Sequence, residues 1–327
     1  MPNPIGTLLH ALNIRPVLLD VGASGSPPPI WREIASNSIY IGLDPDLREI
    51  HEDQSSGFHR SVIINEVVTA EKDATEAHFY LTRSPFCSTV LEPNPKATAP
   101  WLERDLFEVE ARASVRATTI DSILKRLDFP SVDWVKLDTQ GTDLRLINSI
   151  SPDVLSRVMA IDTEPGLIDI YQSEDMFVDV HRDLTRNGFW LSGMHTGGFV
   201  RIRPVTLEAA RATHPEIDDQ YIRSSVRSSP AYLEARYLRT LEWLAEKSLS
   251  PREYMLLWIF ALTDGQFGFA LDLGVEFARI FGANDASRQL NAATWQLIAQ
   301  AHRRFEISRA SAKVTRGLRS IWARLLP

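Results

Sequence analysis

The sequence predicts an α/β fold: a mostly parallel sheet with an antiparallel edge hairpin, followed by a mainly helical C-terminal region. Three observations predict it. Short apolar runs alternate with helical patterns up to Arg203, as in a chain that lays parallel strands and returns through helices. Two of those runs, Val17–Leu19 and Ile39–Leu43, lead straight into acids, Asp20 and Asp44, and the first then turns through Gly22 and Gly25. After Pro204 the composition shifts, with Leu233, Tyr237, Leu241 and Leu244 recurring at helical spacing. The expected organisation is therefore a sheet domain over residues 1–204 and a helical domain over residues 205–327.

The elements follow in order. Val17–Leu19 and Ile39–Leu43 read as buried parallel strands, and Val62–Val68 as a third apolar run. Ala77–Thr82 alternates like a half-exposed strand and suits a small antiparallel excursion. Residues 83–100, with four prolines, read as an irregular loop. Ile120–Leu127 is a short helix, residues 132–138 the next core strand, and the turn at Gly141 opens a helix from Thr142 to Ser149. Val158–Thr163 is a strand closed by Glu164, Pro165 and Gly166, and Met176–Arg186 a helix. Gly188–Met194 and Phe199–Arg203 pair as the edge hairpin through Thr196-Gly197-Gly198. Ser250-Pro251 and Asn284-Asp285 are helix starts, an N-cap with proline at the first helical position and an Asn cap. Tyr254–Leu262, the longest apolar run, reads as a buried helix segment.

Composition narrows the function classes. With 327 residues, 44% hydrophobic and 24% charged, the chain is that of a globular protein. A single cysteine, Cys87, precludes an intrachain disulfide framework and a Cys-rich zinc site, and suits a reducing cytoplasm. The opening residues lack the basic start and long apolar core of a signal peptide, and no run reaches the roughly 20 apolar residues of a membrane span. A cytoplasmic location is expected. The formal net charge of −7 argues against nucleic acid as a partner. It also hides an asymmetry: residues 301–327 hold seven cations against Glu306 alone, so this segment is +6 and the remainder −13.

The chemistry gathers at the strand ends. Gly22 and Gly25 let backbone approach a ligand, and Asp44 after the second strand can grip two ribose hydroxyls. With Asp20, these residues describe a nucleoside site of the Rossmann kind, in which Ala23, Ser24 and Pro45 complete the cofactor contacts. The loop is Gly-x-x-Gly followed by prolines rather than the Gly-x-Gly-x-x-Gly of dinucleotide binders. S-adenosylmethionine has no pyrophosphate to cradle and suits the shorter loop. A second group, Asp138, Gln140, Asp162 and Glu164, ends the two following core strands. Crowded acids there serve as a general base on a hydroxyl, or hold a divalent cation through oxygen ligands. Asp162 and Glu164, two apart, are expected on one face. His181 and His195 are weaker candidates for a base.

The order Asp20-Val-Gly-Ala-Ser-Gly25, Ile41-Gly-Leu-Asp-Pro-Asp46, Tyr80-Leu-Thr-Arg-Ser-Pro-Phe-Cys-Ser-Thr89 and Asp133-Trp-Val-Lys-Leu-Asp-Thr-Gln-Gly-Thr-Asp-Leu144 resembles the FkbM-type methyltransferases. The match continues through Ile161-Asp-Thr-Glu-Pro-Gly166 and Tyr171, and covers about residues 15–200. Its most specific pieces are Lys136-Leu-Asp138-x-Gln140-Gly141 and the Arg-Ser-Pro loop. The resemblance implies a class I S-adenosylmethionine-dependent O-methyltransferase acting on hydroxyls of sugars, glycan precursors or related secondary metabolites. It places Asp20, Gly22 and Gly25 in the cofactor loop, Asp44 on the ribose, and Asp138, with Glu164, beside the methyl donor. Gln140 and Asp162 fall to the substrate.

Two other readings stay open at this level. A methyltransferase fold that lost its chemistry would serve as a partner-binding scaffold in a biosynthetic assembly, and a nicotinamide oxidoreductase would need dinucleotide glycines that are missing. Ile307, Val314, Leu318, Ile321, Trp322 and Leu325 recur at helical spacing among arginines, so residues 303–325 form a basic amphipathic helix suited to an inner membrane surface, an acidic partner, or packing on the helical region.

Overall fold

The computed structural model describes residues 4–46, 48 and 57–325, with side chains described through residue 309. Its strands are β1 (Val17–Val21), β2 (Ile39–Leu43), β3 (Arg60–Ile64), β4 (Val67–Val68), β5 (Glu76–Thr82), β6 (Val109–Thr118), β7 (Trp134–Leu137), β8 (Ala160–Thr163), β9 (Phe189–Phe199) and β10 (Ser229–Arg239). Among the described residues, seven form the main sheet in the order β3-β2-β1-β7-β8-β10-β9, parallel except that β10 runs against both β8 and β9. The order reverses at β1, with β2 on one side and β7 on the other, and this switch point is where open α/β sheets bind ligands. The excursion between β3 and β7 forms a second sheet, β4-β6-β5. Its long strand β6 has no counterpart in the sequence expectations, although Val109–Thr118 alternates apolar and polar residues at period two; three of its five apolar positions are alanine, and the strand is mostly exposed.

The edge hairpin is built differently from the sequence expectation. β9 runs unbroken through Thr196-Gly197-Gly198, and its partner β10 arrives only after helices at Pro204–Thr213 and Asp219–Ser225. The two glycines serve close packing rather than a turn. A Cβ on Gly197 would lie 2.0 Å from Tyr232 Cζ, and one on Gly198 2.2 Å from the Ser229 carbonyl oxygen.

Residues 205–327 are mainly helical, as expected, but β10 corrects the placement of Leu233 and Tyr237 on a helix. Leu233 and Tyr237 are four apart, a spacing that fits one face of a helix and one face of a strand equally. Ala231 before them and Ala235 between them, both buried, complete the period of two. Because β10 is inserted between β8 and β9, the sheet does not end at residue 204.

Nor do the C-terminal helices form a separate core. Tyr254, Leu256, Trp258 and Phe260, from the helix Pro251–Thr263, share one buried cluster with Leu18, Tyr40, Trp134 and Leu238 of the sheet. That helix starts where expected, with Ser250 and Glu253 forming a reciprocal capping box. The opposite face of the sheet is covered by helices Ile120–Arg126, Asp143–Ser149 and Phe177–Arg186. A buried clamp joins the layers: Arg252 binds both Asp133 carboxylate oxygens at 2.8 Å, and Asp133 accepts the Val17 N–H at 2.8 Å. No described helix is long and apolar enough to cross a membrane.

Candidate active site

A cavity of about 340 Å³ opens at the carboxyl edge of the sheet, within the range of small-molecule sites. The loop after β1 forms its floor. Gly22 sits at φ +79°, and a Cβ there would lie 1.9 Å from the Asp138 carbonyl oxygen. Only glycine lets this loop close on the end of β7. The Leu43 carbonyl accepts the Gly22 and Ala23 N–H groups at 2.9 and 3.1 Å, which ties the loop to β2.

Asp44, buried at the end of β2, faces the cavity beside Pro45. Its Oδ2 accepts the Ser24 hydroxyl at 2.8 Å and its Oδ1 the Asp46 N–H at 2.7 Å. Burial pushes its pKa up to about 6, against the lowering effect of those two donors. A carboxylate has about four lone-pair directions. Two remain for hydroxyl groups in the cavity.

Asp138 and Glu164 meet across the ends of β7 and β8 as a hydrogen-bonded carboxyl pair. Burial and the neighbouring Asp138 charge raise Glu164 far above the usual carboxylate range, so it holds the shared proton. Burial opposes ionisation of Asp138 too, but the Lys136 ammonium, Glu164 and Gln140 outweigh it and keep Asp138 charged. Gln140 Nε2 donates to Asp138 Oδ1 at 2.7 Å, and Tyr171 donates its hydroxyl to Gln140 Oε1 at 2.9 Å. Gln140 and Gly141 both take left-handed backbone, with φ of +56° and +101°, which turns the Gln140 side chain back onto Asp138.

The acid cluster expected at this edge is divided. Asp162 does not line the cavity; it lies on the face covered by the C-terminal helices, where Arg236 binds both its oxygens at 2.8 and 3.1 Å and reaches Asp264 at 2.8 Å. Asp162 and Glu164 part because β8 ends at Thr163. The Glu164 N–H then donates to Asp143 at 2.8 Å, and Pro165 follows, which turns the chain toward Asp138. Asp20 likewise lies behind the cavity wall. It accepts the Tyr40 hydroxyl at 3.0 Å and pairs with Lys136 at 3.2 Å, while Lys136 also stands 3.3 Å from Asp138. Asp20, Lys136, Asp162 and Arg236 are register neighbours on β1, β7, β8 and β10. They form a row of alternating charge across four strands, in which an ammonium and a guanidinium balance the acids. Among the described residues, no group of three His, Cys, Asp or Glu side chains is placed to hold a metal ion.

Of the residues chosen from sequence, the structure brings Gly22, Ser24, Asp44, Pro45, Asp138, Gln140 and Glu164 around one cavity, whereas Asp20, Ala23, Gly25 and Asp162 do not line it. His181 Nδ1 lies 3.3 Å from the Tyr237 hydroxyl, outside the cavity. Several contributors were not singled out as site residues by the sequence, although Asp143, Phe86 and Cys87 lie within the motifs that carry the resemblance. Asp143 is buried, and accepts Thr139 Oγ1 at 2.6 Å as well as Glu164 N–H, so it spaces the two strand ends. Glu174 accepts the Ile170 and Tyr171 N–H groups at 3.3 and 3.1 Å, which sets Tyr171 over Gln140; burial pushes its pKa up to about 7. Phe86, Cys87, Phe107, Phe199 and Tyr232 line the cavity, with burial pushing the Cys87 thiol up to about 11.

Residues 32–191 match the family model of the methyltransferase FkbM domain. No curated protein and no solved structure matches the chain. The matched segment runs from just before β2 into β9, and takes in Asp44, the Asp138–Glu164 pair, Gln140 and Tyr171, while the glycine loop and β10 lie outside it. With the mostly parallel seven-stranded sheet and its ligand-sized cavity at the switch point, that match makes residues 32–191 similar to a methyltransferase FkbM domain.

Proposed function

We propose that the protein is an S-adenosylmethionine-dependent O-methyltransferase acting on a hydroxyl of a saccharide, glycan precursor or related secondary metabolite. One observation carries the reading: the glycine loop, a buried acid after β2 and an ionised acid beside a neutral one all line a single cavity. The donor set fits the cofactor. Asp44 offers the lone pairs that a ribose diol requires, and Gly22 and Ser24 leave backbone close to the nucleoside. The bound sulfonium would supply an electrophilic methyl group.

The remaining work falls to side chains of this chain. Asp138, charged and held by Lys136 and Gln140, accepts the hydrogen bond of an incoming hydroxyl and takes its proton. The carboxylate is a weak base, yet it suffices, because the hydroxyl proton becomes strongly acidic as the new C–O bond forms. Glu164 keeps its proton, donates it as a hydrogen bond to Asp138 and fixes the carboxylate plane. The aromatic wall of Phe107, Phe199 and Tyr232 excludes water and orients the acceptor.

Calorimetric titration with S-adenosylmethionine tests the cofactor part. Asp44→Ala should lose charge-assisted hydrogen bonds worth about 1.5–3 kcal/mol each, and NAD should not bind. Equal affinity of the variant and the native protein would overturn the assignment. Asp138→Asn should retain cofactor binding while transfer to an accepted hydroxyl falls by roughly 10²–10⁴.

A further inference from the structure

The helix Asp285–Leu325 has two parts of different character. Its first half is docked: Leu290, Ala293 and Thr294 are buried, and Trp258 Nε1 donates to Thr294 Oγ1 at 3.0 Å. From His302 to Arg309 every residue is exposed, with Phe305 at 61% and Ile307 at 67%. The side chains of residues 310–327 lie outside the described residues, so the second half is read from its sequence on the helical backbone. At 3.6 residues per turn, Ile307, Val314, Leu318, Ile321, Trp322 and Leu325 share one face. Arg309, Lys313, Arg316, Arg319 and Arg324 fall on the opposite side, and no acid follows Glu306.

We propose that residues 307–325 form a docking helix for an anionic lipid surface. Charge supplies the first argument. The segment from residue 301 is +6 and the rest of the chain −13, so an anionic bilayer attracts this segment and repels the remainder as a whole. The apolar face supplies the second. An acidic protein patch would satisfy the arginines but leave a stripe of five aliphatic residues and a tryptophan uncovered. A bilayer interface takes both faces at once, with the stripe among the acyl chains and the cations at the headgroups. Tryptophan, an apolar body with one N–H donor, suits that boundary. The helix is joined to a body that closes one face of the sheet, so docking would hold the whole protein at the surface.

Co-sedimentation of the full chain with equimolar phosphatidylglycerol–phosphatidylcholine vesicles, and with phosphatidylcholine alone, tests this directly. The native protein should sediment with the anionic vesicles only, and less as salt rises. Arg316→Gln with Arg319→Gln should weaken partitioning by about fivefold per cation removed. Leu318→Glu with Trp322→Glu should abolish it while thermal unfolding of the body is unchanged. Absence of binding to anionic vesicles overturns the proposal, as does equal binding to both vesicle types. It is also overturned if the native protein instead self-associates in light scattering and the Leu318→Glu/Trp322→Glu variant does not, because a second copy of the chain would then be the occupant.

Discussion

Replacing Lys136 by methionine isolates the charge balance on which the site rests. Its ammonium lies 3.2 Å from Asp20, 3.3 Å from Asp138 and 3.4 Å from the Gly22 carbonyl oxygen. Burial opposes a charge there, and the two carboxylates outweigh it and raise the lysine pKa. Methionine keeps most of the stem and removes the cation, which leaves Asp20 buried with only the Tyr40 hydroxyl. Breaking such a pair costs about 3–5 kcal/mol. The partial exposure of Lys136 and the retained Tyr40 bond place the expected loss near the lower bound, about 3 kcal/mol. Urea unfolding should show it as a fall in midpoint at unchanged slope. Adding Asp20→Asn should recover most of the loss, because the uncompensated charge goes with it. The chemistry should shift as well. Asp138 is held below its usual pKa, a contribution present above the unfolded pKa and lost as pH falls through the folded one. Without Lys136 that pKa rises, and the acid limb of the transfer rate moves to higher pH. A loss below about 1 kcal/mol, or no recovery in the double variant, would refute the argument that Lys136 neutralises Asp20.

Four further outcomes are expected. Asp44 titrates near 6, and its ionised form is the one that binds a diol, so affinity for S-adenosylmethionine should drop as pH falls through about 6; Asp44→Asn should bind weakly with a flat profile, and a flat calorimetric profile for the native protein would count against this role. By the same linkage, the raised Asp44 pKa makes the ligand-free protein lose stability as pH rises from the unfolded value through about 6, and Asp44→Asn should lessen that slope in thermal unfolding. Gly22→Ala places a methyl 1.9 Å from the Asp138 carbonyl oxygen at φ +79° and should cost about 1–3 kcal/mol for backbone strain alone, with cofactor binding reduced more than stability, as paired calorimetry and urea unfolding would show. Arg252→Met removes the cation from fully buried Asp133 and should destabilise the chain by about 2–3 kcal/mol in urea; a change near zero would mean that the C-terminal helices are not clamped to the sheet through this pair.

The strands that carry the cofactor side were legible because their signals are local. A buried parallel strand is a short apolar run, and Asp44 and Asp138 declare the ends of β2 and β7 by breaking it. The bounds of β2 agree residue for residue, and the helix starts at Ser250 and Asn284 follow from caps that act over three residues. Gly22 was readable for the same reason, since a glycine after a strand-ending acid marks backbone that must pass close to something. Tertiary structure decided what lies beyond that range. Leu233 and Tyr237, four apart, satisfy a helix and a strand alike, and only the open place between β8 and β9 made them β10. Gly197-Gly198 resembles a turn in sequence, whereas the ring of Tyr232 and the backbone at Ser229, some thirty residues on, are what require the glycines. The fate of each acid was settled in the same way. Asp20 and Asp162 look like site residues until Lys136 and Arg236 meet them across the sheet, and Asp138 and Glu164 become one charged and one neutral carboxyl only once the fold buries them side by side and sets Lys136 and Gln140 against Asp138. The sequence by itself determined which segments become strands and which of them end in acids; pairing across the sheet determined which acids face the cavity, because a side chain's partner and its exposure depend on neighbours that lie far away along the chain.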